Sequence, residues 1–233
     1  MEILLIAGLW LDGSSWDGVA KSLEARGHHA VPITLPGQGD GNASATLADQ
    51  AAAVIAAVDA AARRPLLVAH SAAASLAWLA ADTRSEKIYK IAFIGGFPSP
   101  DGERYADFFP TDDGTMPFPG WDAFDGPDSA DLDDATKQAF AAAAIPVPEG
   151  VSRGVVRLVD ERRYDVPVVV VCPEFTPVQA RAWIDAGDVP ELARVKHLSF
   201  VDIDSGHWPM ITAPVALAHL LAEAADEAAE AAG

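Results

Sequence analysis

The chain has 233 residues, with 16 Lys plus Arg set against 34 Asp plus Glu for a formal net charge of −18, so nucleic acid and anionic membrane surfaces are excluded as expected partners. Its one cysteine, Cys172, excludes an internal disulfide framework and a cysteine-clustered zinc or iron–sulfur site. The length suits one large α/β domain around a single core, with room for an inserted lid.

Taken in chain order, the first apolar run, "EILLIAG" at 2 to 8, is too short to span a bilayer and has no basic segment before it, so a cytoplasmic, soluble protein is expected. A helix from Trp16 to Arg26 is closed by Gly27, a weaker strand follows in "HHAVPITL", and a second helix runs from Thr46 to about Arg63. "PLLVAH" at 65 to 70 reads as a fully buried strand leading into a helix from Ser71 to about Ala81, and "IYKIAFIGG" at 88 to 96 as the next strand. Between about Phe97 and Asp165 the alternation lapses in a stretch rich in Pro, Gly and Asp that also carries aromatic residues, "FPTDDGTMPFPGWDAFDGPDSADLDD". Its position after a strand's carboxyl end predicts a lid over the ligand crevice, and its aromatics argue against disorder. The pattern resumes with "VPVVVVC" at 166 to 172, a helix from Pro177 to Ala186 before Gly187, a weaker strand "HLSFVDID", and a helix from Pro214 to about Ala228. An alanine-rich acidic tail, "EAADEAAEAAG", is expected to fray. Strand alternating with helix predicts an α/β fold with a mostly parallel, doubly wound sheet. Cys172, inside an aliphatic strand, reads as a small buried hydrophobe.

Two local patterns carry chemistry. A nucleophile elbow is a strand, a sharp strained turn bearing the nucleophile, and a helix whose first amides face the reacting oxygen. "LLVAH", Ser71 and "AAASLAWLA" have that layout, but the flanking positions that are usually glycine are Ala69 and Ala73. One added methyl keeps close packing feasible. Ser71 also fits a plain helix N-cap, and the short stretch alone does not choose between the two. In "VDIDSGHWPMITAP", His207 follows a strand end on a loop that can bring an imidazole to the serine as general base. The competing account is a buried structural histidine. His70 also ends a strand, but it adjoins Ser71 at a sharp turn and so points away from it.

"AHSAA", "SGHWP", "AGLWLDGSSW" and "HAVPITLPGQGDG" together resemble the small-lid α/β-hydrolases of the esterase and hydroxynitrile lyase type, over nearly the whole chain. The resemblance implies oxyanion donors from the backbone amides of Leu9 and Ala72, although the family's usual histidine is Ala7 here. It also implies the order serine, acid, histidine, with the acid after the strand that follows the lid. Glu174 is the carboxylate available there, where the family more often has Asp in a longer loop. Relatives that draw the acid from the end of the strand after the elbow have a carboxylate where this chain has Gly95 and Gly96, unless Asp101 folds back. Asp202 and Asp204 flank the histidine loop but read as strand-end and turn residues.

The activity implied is serine esterase chemistry on a small-molecule, ester-like substrate. Two alternatives stay open. One is a hydroxynitrile-lyase-like acid–base enzyme, whose assisting lysine has no counterpart beside His207, and the other is a catalytically weak binding member of the fold. Trp10, Trp121 and Trp208 fall on loops or lid beside these residues and are candidates to line an apolar pocket. "PGQGDG" lacks the lysine of a phosphate loop, and no His, Asp or Glu spacing matches a metal site, so no cofactor and no metal are expected. Oligomeric state is not written in the sequence.

Overall fold

The computed structural model describes residues 1–231. Its strands are β1 (Glu2–Ile6), β2 (His29–Pro32), β3 (Leu66–His70), β4 (Lys90–Ile94), the short pair β5 (Thr115–Met116) and β6 (Val147–Pro148), then β7 (Val168–Cys172) and β8 (Leu198–Asp202). Six of them form one sheet in the order β2-β1-β3-β4-β7-β8, with every neighbouring pair parallel, while β5 and β6 pair antiparallel on their own. The order reverses between β1 and β3, and loops leaving adjacent strands in opposite directions open a crevice there.

The continuous apolar runs follow from burial on both faces. β3, β4 and β7 are buried at every position, whereas β8, at the sheet edge, is only partly covered. Alternation along each strand divides the core in two. Ile3, Leu5, Val68 and Ile94 pack beneath α1 (Asp17–Glu24) and α8 (Pro214–Ala231), through Val19, Leu23, Leu217 and Leu221. Leu4, Ile6, Leu67 and Phe93 pack beneath α2 (Leu47–Ala60) and α3 (Ala74–Arg84), through Val54, Val58, Leu76 and Trp78. The alanines of α3 let it seat deeply, so it is buried almost all round rather than along one stripe.

Several boundaries differ from expectation for local reasons. The first helix begins as a tight turn, Gly13–Trp16, whose entry is capped by Asp12. α2 opens on a capping box between Thr46 and Asp49 and stops at Ala60, because Ala61 turns extended. α3 is preceded by a 3₁₀ turn, Ser71–Ala73, and continues to Arg84. α8 runs to Ala231, into the tail expected to fray, and the last two residues of "EAADEAAEAAG" lie outside the described residues.

Between β4 and β7 the chain makes a long excursion that includes β5, β6, α4 (Asp134–Ala143) and α5 (Glu149–Ser152) before α6 (Pro177–Ala186) and α7 (Pro209–Thr212) follow β7 and β8. It crosses the carboxyl edge of the sheet, where Ile145 N–H donates to the Trp10 carbonyl at 2.9 Å. Its far end is fastened by a buried ionic knot. Arg163 donates to Asp82 at 3.2 Å, to Glu191 at 3.0 Å and to the Tyr164 hydroxyl, and Trp78 Nε1–H joins Glu191 at 2.8 Å. Asp82 also accepts the amides of Val159 and Asp160. Removing one partner from such a knot strands the others in low dielectric.

Arg163→Ala is therefore predicted to lower the unfolding free energy by about 3–5 kcal/mol in urea titrations. A loss below about 1 kcal/mol, the range of surface pairs, would show that the knot is not holding this end of the excursion.

Candidate active site

Ser71 stands at the carboxyl end of β3, beside the crevice, with φ at +55°. A left-handed serine between a strand and a helix is a strained turn, and it throws the hydroxyl outward from the sheet. The alanines at the flanking positions are accommodated, since Ala69 and Ala73 are both fully buried in the core beneath α2 and α3. The room that matters comes from the neighbouring strands. A Cβ on Gly96 would lie 2.5 Å from the Ser71 carbonyl oxygen, and one on Gly8 would lie 3.2 Å from Ser71 Cβ and 2.7 Å from His70 Nδ1.

The loop after β8 delivers His207 to this turn. Its Nε2 is 2.9 Å from Ser71 Oγ and its Nδ1 is 2.7 Å from Glu174 Oε1, on the short loop after β7. The short segment "CPEFTP" therefore spans the distance to the imidazole. With Nδ1–H donating to the carboxylate, Nε2 presents its lone pair to the serine hydroxyl. The pair fits closely against Gly95, which has φ at +58° and whose Cβ would lie 3.1 Å from His207 Nδ1 and 3.2 Å from Glu174 Oε2. The other acidic candidates lie elsewhere. Asp101 accepts the Leu158 amide at 2.9 Å, and Asp202 and Asp204 are exposed. Burial pushes the Cys172 thiol up to about 12, with Asp202 and Glu174 adding to it, so it stays protonated and inert.

Ala72 directly follows Ser71, and Leu9 follows Gly8, where a Cβ would lie 3.2 Å from Ser71 Cβ. Ala72 is the second residue of the 3₁₀ turn, where amides precede any helical acceptor. Leu9 N–H meets no backbone acceptor among the described residues. Its loop lacks the family histidine at Ala7, but Gln38 Nε2 donates to the Gly8 carbonyl at 3.2 Å and Ile145 N–H to that of Trp10. Trp10 itself has φ at +63°, and its indole donates to the Met116 carbonyl at 3.2 Å.

The three expected tryptophans meet in one aromatic assembly. Trp121 lies 5.3 Å from Trp208, Phe124 bridges Trp208 and Trp10 at 5.3 and 5.8 Å, and Trp208 stands edge-on to the His207 ring at 4.9 Å. Phe118 and Phe124, which join the tryptophans, escaped sequence reasoning because loop aromatics have no periodicity to mark them. His70 was set aside from sequence as a base, and its actual bond escaped that reasoning too. Its Nε2–H donates to the His207 carbonyl at 2.8 Å, across 137 residues of sequence, and nothing local signals that bond. Burial, and then the neighbouring His207, hold the His70 imidazole well below its ordinary range and hence neutral.

Asp128 adds a second carboxyl near His207. Burial raises its pKa, His207 draws it down and Glu174 pushes it up. Among the described residues no group of three or more His, Cys, Asp or Glu is arranged to hold a metal ion, and no helix is long and apolar enough to cross a membrane.

The family model described as the alpha/beta hydrolase family matches residues 3–220. No curated protein matches the sequence. Among solved structures, the chain is similar to an extracellular alpha/beta-hydrolase from a Paenibacillus species, described as sharing structural and functional homology with tobacco salicylic acid binding protein 2. Identity there is 20%, TM-score 0.76, with 95% of this chain and 97% of that one covered. It is also similar to a pyrethroid hydrolase from Sphingobium faniae (19%, 0.70, 99% of each chain) and to a methylesterase from Arabidopsis (14%, 0.72, 97% and 98%). At these identities the likeness establishes the fold.

The neutral state of His70 has a thermodynamic consequence. Its folded pKa is depressed, as is that of buried His28, lowered first by burial. The unfolded chain therefore takes up these protons first as pH falls below about 6.5, and stability is lost with a slope approaching ~1.4 kcal/mol per pH unit for each proton. Urea midpoints at about pH 7.5 and about pH 5 should show wild type losing more stability than His70→Gln, which retains a donor but does not titrate. Equal losses in the two proteins would remove His70 from the account.

Proposed function

The chain belongs to the α/β hydrolase family, and from that premise we propose that it is a serine hydrolase cleaving a small, uncharged, ester-like substrate through an acyl-enzyme. The observation that carries this reading is the unbroken hydrogen-bonded chain from Ser71 through His207 to Glu174, at 2.9 and 2.7 Å. As the serine oxygen attacks the carbonyl carbon, His207 Nε2 takes its proton, and Glu174 balances the imidazolium that forms. The amides of Leu9 and Ala72 receive the developing oxyanion, each contributing roughly 10²–10³ in rate if it acts as such donors do elsewhere. His207 then returns the proton to the departing alcohol. Water, deprotonated by the same imidazole, attacks the acyl carbon, and His207 gives that proton to Ser71 Oγ as the ester bond to the serine breaks and the acid is released.

The excursion from 97 to 165 acts in this reading as a lid, and Trp10, Trp121 and Trp208, joined by Phe118 and Phe124, form the apolar wall of the substrate pocket. Glu174 and Asp128 both lie near the base. A substrate bringing its own carboxylate would meet like charge there, so neutral esters are favoured.

A fluorophosphonate probe should label the wild-type protein at Ser71, and Ser71→Ala and His207→Ala should both abolish labelling. Glu174→Gln should lower kcat on p-nitrophenyl acetate by about 10⁴, since neutralising the acid leaves the histidine in the wrong tautomer. Absence of both labelling and ester turnover in the wild type would overturn the hydrolase reading. An unchanged rate in Glu174→Gln would remove that residue from the mechanism.

A further inference from the structure

The loop bearing His207 is held by a segment of the excursion lying about 75 residues earlier. Asp131 Oδ2 accepts the Gly206 N–H at 2.8 Å and lies 3.2 Å from the Ser205 hydroxyl. The Asp128 carbonyl accepts the His207 N–H at 2.8 Å. The contact is close enough to dictate the residue at 206, because a Cβ there would lie 2.3 Å from Asp131 Oδ1 and 2.4 Å from the Asp128 carbonyl oxygen. From the other side, His70 Nε2–H holds the His207 carbonyl. The peptide that carries the imidazole is thus pinned at both its N–H and its C=O.

The segment can serve as an anchor because it is itself fixed. Ser129 and Leu132 are buried on either side of Asp131, with Leu132 in the core cluster that contains Phe140 and Trp208. Immediately afterwards Asp133 caps α4 by accepting the Thr136 amide at 2.8 Å. The two residues after Asp131 are therefore tied into the core and into a helix start, so its carboxylate approaches the base loop from a defined position. β8, by contrast, is a partly covered edge strand.

From this we propose that Asp131 is a positioning residue for His207, and that the base keeps its reach to Ser71 only while the excursion is seated on the Ser205–His207 loop. The inference rests on the serine hydrolase reading for its effect on rate, but not for the loop restraint itself. Asp131 touches neither Ser71 nor Glu174 and acts through the backbone. A general base displaced by about 1 Å loses roughly 10²-fold in rate.

The test compares Asp131→Ala, which removes the acceptor, with Asp131→Asn, which keeps one oxygen acceptor but not the charge. On p-nitrophenyl acetate, Asp131→Ala should lose about 10²-fold in kcat with little change in KM, and Asp131→Asn should recover to within several-fold of wild type. Amide hydrogen exchange should accelerate at Gly206 and His207 in the alanine variant and stay near wild type in the asparagine variant. Gly206→Ala, whose methyl group forces the same segment away, should reproduce the kcat loss and the faster exchange, and serves if Asp131→Ala does not fold. A kcat within twofold of wild type in the variants lacking the contact, or an asparagine variant as impaired as the alanine one, overturns the proposal. If wild type neither labels nor turns over esters, the hydrolase reading fails on its own. Exchange at Gly206 then still decides the restraint, and unchanged exchange in Asp131→Ala overturns it.

Discussion

The geometry around Ser71 depends on how closely three strands can bring their carboxyl ends together. β1, β3 and β4 are adjacent in the sheet, and the residues leaving them crowd a single serine backbone. Gly8 and Gly96 have no space for a side chain against His70 and Ser71, and a Cβ at Gly95 would press tightly on His207 and Glu174. With these three positions bare, the serine can occupy its left-handed turn, the imidazole can close on it, and the carboxylate can close on the imidazole. A methyl group at Gly8 or Gly96 would collide with a group belonging to a different strand, and one at Gly95 would need His207 or Glu174 to give way, so the site is a property of strand adjacency more than of any one motif.

This relocates the question raised by the alanines at 69 and 73. Read locally, the elbow lacks the glycines that ordinarily let strand and helix approach, and the loss suggests a compromised turn. In the fold, both alanine methyl groups sit in the core, and the tight approaches are made across the sheet instead. Such cross-strand crowding cannot be seen in a stretch of five residues, since it depends on which strands become neighbours.

Much of the architecture was legible for a simple reason: strands buried on both faces must be continuously apolar, and helix starts such as Thr46 and Thr176 carry their own capping residues. The candidate serine and histidine were visible from strand-end context, and Glu174 only through the order that the resemblance implied. What stayed hidden shares one physical character, bonding between distant segments through the backbone. His70 to the His207 carbonyl, Gln38 to the Gly8 carbonyl and Asp131 to the Gly206 amide use side chains whose partners are peptide groups, and a peptide group leaves no mark on sequence. The excursion was legible as a departure from alternation, but its aromatic order was not. Phe118 and Phe124 find their partners only once the loop has folded across the sheet edge.

Cys172 gives the protein a property unrelated to catalysis. It is the only thiol in the chain, fully buried at the end of β7, two residues before Glu174, with its ionisation suppressed by its surroundings. While the sheet is closed, alkylating reagents find no thiolate to attack. Once β7 separates from its neighbours, the sulfur recovers both solvent and ordinary acidity. Its modification rate therefore counts openings of the strand end that leads to Glu174, so the chain contains a single-site chemical clock for local unfolding beside its own candidate active site.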